Sequence, residues 1–423
     1  MNLTEAQAGS DLSALNTAAV PNGDHYKITG QKIFITWGEH DLSENIIHMV
    51  LARLPDAPDG VKGISLFLVP KYLVNEDLSL GERNSLEAVS IEHKLGIHGC
   101  ATCVMNFEGA TGYLVGEVNQ GLSCMFTMMN DARLGVACES VAIAERAYQQ
   151  ALTYAKDRVQ GEAHGQKGRT TIIHHPDVRR MLLKMRSHIE IMRVFVYVTT
   201  LEIDLAVSDQ EHSKRADLLT PITKGWCSEI CQEITSIGLQ IHGGMGYIEE
   251  TGAAQHFRDS RITSIYEGTT GIQANDLIGR KVIGDQGQEL RELIADISSE
   301  INALDSNKQR LRLIKESMTH SIAVVEKSLN YILQEQPKDP FLAGSASYNF
   351  LMMMGTFIGG WIATRSAALA IKNLKNSEDV EFYEAKLVSS TFFIEQSLPL
   401  VEAYSKSLMS GSVSTMTLTE DQF

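Results

Sequence analysis

A chain of 423 residues is too long for one ordinary core, and 43% hydrophobic with 21% charged residues describes a globular protein, neither disordered nor fibrous. The formal net charge of -15 argues against a nucleic-acid partner, because phosphate backbones are bound through an excess of Lys and Arg. Six cysteines include two closely spaced pairs, Cys100/Cys103 and Cys227/Cys231; buried reduced thiols are preferred to a shared zinc site, and no metal is expected.

Met1 leads straight into Asn2-Leu3-Thr4-Glu5, with neither a basic stretch nor an apolar one, so a cytoplasmic location is expected. Up to Asn119 the chain reads as short strands rich in β-branched and aromatic residues: Tyr26–Thr29, Lys32–Thr36, Ile46–Leu51, Ile64–Val69, Val89–Glu92 and Thr102–Phe107. Asn22-Gly23-Asp24 and Pro58-Asp59-Gly60 punctuate them, and an antiparallel barrel or sandwich fits these spacings.

From Asn119 the apolar period becomes helical, with Leu122, Met125, Phe126 and Met129 on one face. A second helix opens at His175-Pro176-Asp177, with Pro in the first turn and Asp suited to the dipole; its stripe is Val178, Leu182, Met185, Ile189 and Met192. Between them, 161–171 is a polar loop expected to be mobile. Further helices are expected over Pro221–Leu239 and Gly271–Ile283, and the set suggests a bundle. Beyond Gly284, Leu290, Leu293, Ile294, Ile297, Ile301 and Leu304 form a stripe that opens another helical domain. The apolar run Phe350–Thr364 falls short of the ~20 residues that span a bilayer. Its Gly355, Gly359 and Gly360 point instead to close helix packing, and no firm membrane association is expected. The expected architecture is therefore multidomain α and β: an antiparallel β-barrel or sandwich at 1–118, a helical bundle at 119–284 and a helical extension at 285–423.

Three segments have the chemistry for a site. In Ile265-Tyr266-Glu267-Gly268-Thr269-Thr270-Gly271, a carboxylate sits before a helix that Thr269 or Thr270 can cap. Glu267 fits a general base in a site closed to water, and fits equally a carboxylate that complements a helix dipole. Gln240-Ile241-His242-Gly243-Gly244-Met245-Gly246-Tyr247 is a glycine-rich turn after a helix, suited to close ligand approach or to a simple helix C-cap. Leu3-Thr4-Glu5-Ala6-Gln7-Ala8-Gly9-Ser10-Asp11 is a polar loop that offers the Thr4 and Ser10 hydroxyls to a ligand or forms a turn.

Thr4-Glu5 with Ala8-Gly9-Ser10-Asp11, Phe34-Ile35-Thr36, the 240–247 segment and Tyr266-Glu267-Gly268-Thr269, taken together in this order, resemble the acyl-CoA dehydrogenase family. The extra helices resemble the long bacterial subgroup that includes 3-methylmercaptopropionyl-CoA dehydrogenase. The resemblance implies FAD as cofactor, with Thr4 at the flavin's pyrimidine edge and Phe34 and Thr36 bordering the ring. It implies Arg158 and Gln160 reaching a neighbouring subunit's FAD, and Gln240, Gly243, Gly244, Gly268 and Thr269 meeting the same cofactor. Ser10, Asn130, Arg133 and Tyr266 are implied in binding acyl-CoA. Glu267 is implied as the base that removes the α-proton while hydride passes from the β-carbon to flavin N5. Some relatives carry that base one residue before the Arg; here Ala132 stands there, and Asp131 points about 100° away on a helix.

Implied partners are acyl-CoA, an electron-transfer flavoprotein as electron acceptor, and further copies of the chain in a homodimer or homotetramer. An acyl-CoA oxidase using oxygen is the enzymatic alternative. The family carries a helical domain ahead of the strand domain, whereas this sequence starts inside the first motif. A truncated, non-catalytic fragment is therefore the alternative from another class.

Overall fold

The computed structural model describes residues 1–165, 167–374 and 378–423, and the chain divides into two compact units, Met1–Ala132 and Arg133–Phe423. Eight strands belong to the first unit: β1 Ala18–Asn22, β2 His25–Thr36, β3 Ile47–Arg53, β4 Ile64–Pro70, β5 Tyr72–Val74, β6 Leu80–Arg83, β7 Leu86–Ile91 and β8 Thr102–Val115. Six of them form one sheet in the order β2-β1-β3-β4-β8-β7, with β2 also paired to β8. The sheet thereby wraps on itself, but β1 meets β3 through the single pair Ala18–Arg53, so the result is sandwich-like and not a regular barrel. Inward residues such as Ile28, Val50, Phe67, Met105 and Phe107 fill the space between its layers, as the alternation of strand side chains requires.

The two short strands expected over 26–36 are one strand, which passes through Gly30 at φ 152. A side chain at Gly30 would meet Thr17 atoms 2.6 Å away, so only glycine lets β2 run on. Strand β1 was not expected: Ala18-Ala19-Val20-Pro21-Asn22 has little β propensity and contains a Pro, and its ladder to β2 holds it in place.

Helices dominate from α1 Gly121–Asp157 onward: α2 Pro176–Ala206, α3 Gln210–His242, α4 Ala253–Ser260, α5 Thr270–Asn275, α6 Gln288–Asn302, α7 Gln309–Glu335, α8 Leu342–Asn373, α9 Val380–Gln396 and α10 Leu400–Leu408. Pro176 opens α2 as its position predicts, whereas α3 starts eleven residues before Pro221 and carries that proline within it. The helix expected over Gly271–Ile283 is α5 followed by a π-helical segment, Asp276–Ile283. The ends of the 161–171 loop are tied, with Gln160 N–H donating to Thr170 O at 3.0 Å and Thr170 N–H to Gly161 O at 3.0 Å. Gln166 within it lies outside the described residues.

One continuous core joins the helices of the second unit, with Met185, Trp226, Leu277, Ile297, Val325, Phe357 and Phe393 all buried in it. The run Phe350–Thr364 lies in the middle of α8 and is buried throughout. A side chain at Gly355 would stand 2.2 Å from Trp226 Cγ, and one at Gly360 would stand 2.6 Å from Leu398 Cδ1. These glycines let α8 approach its neighbours at backbone distance. Gly355→Ala is expected to lower stability by at least about 1–3 kcal/mol through overpacking against the indole. Thermal unfolding measures this, and a transition unchanged from the parent would contradict the packing account. Among the described residues no helix is long and apolar enough to cross a membrane, and no group of three His, Cys, Asp or Glu side chains could hold a metal. All six cysteines are free thiols.

Candidate functional site

In the first unit, the Thr4 motif is bound to the end of β2. Thr4 O accepts from Ile33 N–H at 2.9 Å, which sets the loop beside Phe34-Ile35-Thr36. The β2–β8 register breaks between Lys32 and Ile35, and Phe34 within the break has φ 60, a conformation costly for a bulky residue. The bulge turns Phe34 outward, 59% exposed, while Ile35 keeps its place in the core; Thr36 is exposed as well. The Thr4 hydroxyl takes no partner among the described residues, and Ser10 is exposed. Asn130 lies half-buried on α1.

Two residues with no role assigned from sequence hold this arrangement. Lys32, with no exposed surface, donates to Leu3 O at 3.0 Å and to Glu5 Oε1 at 2.8 Å. Glu5 also accepts from Thr17 N–H and hydroxyl and from Asn16 N–H. Burial alone would raise the Glu5 carboxyl, but the Lys32 charge and these hydrogen bonds overcome it and bring the group down to about 2. A charged residue at an inward strand position, as Lys32 is, was the signal available in the sequence.

In the second unit, Glu267 occupies the turn ahead of α5 with φ 53, followed by Gly268 at φ 93. The left-handed Glu267 is unfavourable, whereas Gly268 adopts its φ without that cost, and hydrogen bonds to the two carbonyls fix the turn. Glu267 O accepts from Arg133 Nε at 3.4 Å and Gln273 Nε2 at 3.2 Å, and Gly268 O accepts from Lys224 Nζ at 2.6 Å. A side chain at Gly268 would meet Gln273 Nε2 at 2.5 Å. Thr269 caps α5, its hydroxyl accepting from Ile272 N–H at 3.2 Å.

Glu267 is half-buried, and burial pushes its carboxyl above the usual range against the opposing charges of Arg133 and Lys224. Its N–H has no acceptor among the described residues. Arg133 is 4% exposed and also pairs with Asp276 at 3.5 Å, and Tyr266 OH donates to Glu139, whose carboxyl burial pushes up. The structure thus brings Arg133, Tyr266, Glu267, Gly268 and Thr269 into one cluster. It adds Glu139, Lys224, Gln273 and Asp276, which the sequence reading missed. Lys224 is the exception in legibility, as a lone cation within the otherwise uncharged Leu218–Cys227 stretch.

The remaining residues of this unit lie at two exposed places. Gly243 ends α3 at φ 60, and neither it nor Gly244 has anything within 4 Å of where a side chain would begin; Gln240 is exposed beside them. Arg158 and Gln160 are exposed beyond α1, and the backbone between them is pinned where Val159 bridges Thr171.

Known families match nearly the whole chain: acyl-CoA dehydrogenase, middle domain, over residues 1–110; acyl-CoA dehydrogenase, C-terminal domain, over 119–283; and acetyl-CoA dehydrogenase C-terminal like over 288–419. The chain is 49% identical to the 3-methylmercaptopropionyl-CoA dehydrogenase of Ruegeria pomeroyi, an alignment covering 94% of this chain and 69% of that protein. It is 37% identical to FadE5, a broad-specificity linear acyl-CoA dehydrogenase of Mycobacterium tuberculosis, over 95% of this chain and 70% of that one. The crystal structure of an acyl-CoA dehydrogenase from Bacillus anthracis complexed with FAD shares the fold, with a TM-score of 0.74 at 22% identity over 96% of this chain and 68% of that one. With motifs, fold and relatives in agreement, the chain belongs to the acyl-CoA dehydrogenase family.

Proposed function

We propose that this chain carries out FAD-dependent α,β-desaturation of an acyl-CoA thioester, with Glu267 as the base. The observation that supports this best is the Glu267 turn: a carboxylate raised by burial, on a left-handed residue whose own carbonyl is held by Arg133 and Gln273. Such a group holds a proton more readily than an ordinary carboxylate, and its backbone is fixed before substrate arrives.

The residues fit the cofactor. The space at Gly243 and Gly244 lets a ligand approach the main chain, and the Thr4 hydroxyl, without a partner among the described residues, and the outward Phe34 suit a polar-edged planar ring. FAD, when bound, supplies the acceptor for the β-hydride at N5. Thr4 would orient the ring's pyrimidine edge, Phe34 and Thr36 would border it, and Gln240, Gly243, Gly244, Gly268 and Thr269 would meet the rest of the cofactor. Glu267 takes the α-proton on its carboxylate, and its free N–H donates to the thioester oxygen as negative charge develops there.

Ser10, Asn130 and Tyr266 would bind acyl-CoA. Arg133 is so deeply buried that holding the base turn is favoured over meeting the CoA portion. The exposure of Arg158 and Gln160 supports a reach to the FAD of a neighbouring copy in a homodimer or homotetramer, and an electron-transfer flavoprotein is the proposed acceptor. The test is the rate of flavin reduction by acyl-CoA against pH. It should rise through a limb above the ordinary carboxylate value of 4.5, and Glu267→Gln should abolish that limb. Undiminished turnover in the variant would remove Glu267 from the role.

A further inference from the structure

Lys224 lies in the buried face of α3 with no exposed surface, between Ile222 and Trp226, which are buried as well. An ammonium in such a place is costly unless it is paired, and an apolar side chain would pack there without that cost. Its hydrogen bond goes to Gly268 O, at 2.6 Å, the carbonyl that follows the strained Glu267 residue. Five residues further along α3, Glu229 Oε1 accepts from the Thr270 hydroxyl at 2.5 Å, and Thr270 is 6% exposed. One helix therefore holds the turn on either side of Thr269, from a cation at one point and a carboxylate at the other. Arg133 and Gln273 take the Glu267 carbonyl just ahead of these two points.

We propose that Lys224 is the positioning residue of this turn, fixing the Gly268 carbonyl so that the Glu267 carboxylate is aimed at the substrate's α-carbon. The proposal rests on Glu267 being the base. Without the Lys224 bond, Gly268 O keeps only the longer contact from Gln273 Nε2, at 3.4 Å, and the Glu267–Gly268 pair can relax out of the left-handed region. Lys224 also adds positive charge beside Glu267. Within the helical unit the charged groups around the carboxylate are Arg133, Lys224 and Glu229, with Asp276 and Arg280 next to Arg133. Of these, Arg133 and Lys224 favour the ionised carboxylate, so removing Lys224 makes Glu267 harder to ionise.

Two variants separate position from charge. Lys224→Met removes both the donor and the charge, and Lys224→Gln keeps a donor without the charge. Flavin content, substrate KM and the rate of flavin reduction are followed against pH in the FAD-loaded full chain. Lys224→Met should lower the reduction rate about 10- to 100-fold with KM little changed, as expected for a displaced base, and move the rising limb to higher pH. Lys224→Gln should show the same pH displacement while recovering much of the rate on the high-pH plateau. A wild-type rate and pH profile in Lys224→Met would overturn the proposal. Loss of bound FAD in both variants would do so too, because Lys224 would then serve only the fold. Glu267→Gln in the same assay keeps the two questions apart. If Glu267→Gln still reduces its flavin, the base assignment falls; if it is inactive while Lys224→Met matches the parent, only the positioning role falls.

Discussion

Glu267→Gln is expected to keep its bound FAD and to reduce it about 10²- to 10⁴-fold more slowly with acyl-CoA, the range that a lost general base accounts for. The amide preserves the shape of the side chain and leaves the backbone bonds from Arg133 and Gln273 intact, so the turn should hold its conformation. Stability should not fall. The folded-state pKa of Glu267 is raised, so the group favours folding while protonated, and this contribution is lost as pH rises through the folded value. At any pH above that folded value the ionised, half-buried carboxylate is therefore a burden that Gln removes, and there the variant should unfold at the same temperature or higher. Rapid-mixing reduction and thermal unfolding measure the two effects. A slow variant that had also lost its flavin or its stability would assign Glu267 to the scaffold instead.

Lys32→Met should have the largest effect on stability, about 3–5 kcal/mol, because it leaves the Glu5 carboxylate buried without its cation. The damage should be local as well as global. Residues Asn2 to Ala8 are held by the Asn2 bridge to Val50, by Ile33 N–H on Thr4 O, and by Lys32 on both Leu3 O and Glu5. Losing the Lys32 bonds loosens the segment that presents the Thr4 hydroxyl, so FAD affinity should fall together with stability. Acid should weaken the same pair. With its folded pKa near 2 against an ordinary 4.5, Glu5 contributes stability that is complete above pH 4.5 and fades as pH falls toward 2. Denaturant unfolding at several pH values tests both statements. A Lys32→Met chain within 1 kcal/mol of the parent, on the order of a surface change, would mean that the pair does not hold the loop.

Sequence patterning made much of this architecture legible, for identifiable reasons. The strands of alternating burial, the start of α2 at Pro176 and the α6 stripe from Leu290 to Ile301 were all visible, because each follows the period of its own element. Strand β1 was not, since its Ala and Pro residues are held by pairing with β2 and not by propensity. The first third of α3 was hidden because Pro221 reads as a helix start, yet tertiary burial carries the helix through it. At the site, the motif pointed to Glu267 as a carboxylate ahead of a helix. Its left-handed backbone and the donors on the two turn carbonyls depend on residues more than forty positions away in the case of Lys224 and more than a hundred in the case of Arg133. No local spacing encodes contacts of that range.

Every role proposed for these residues requires that the chain bind FAD and pass electrons from acyl-CoA to it. The most direct measurement is an anaerobic titration of the purified, FAD-loaded full chain with short- and medium-chain acyl-CoA thioesters, including 3-methylmercaptopropionyl-CoA, followed at the flavin absorption band. The expected result is bleaching of the yellow colour by at least one thioester, with the matching enoyl-CoA as product and no bleaching in Glu267→Gln. A chain that takes up no FAD, or one whose flavin stays oxidised with every thioester, would contradict it.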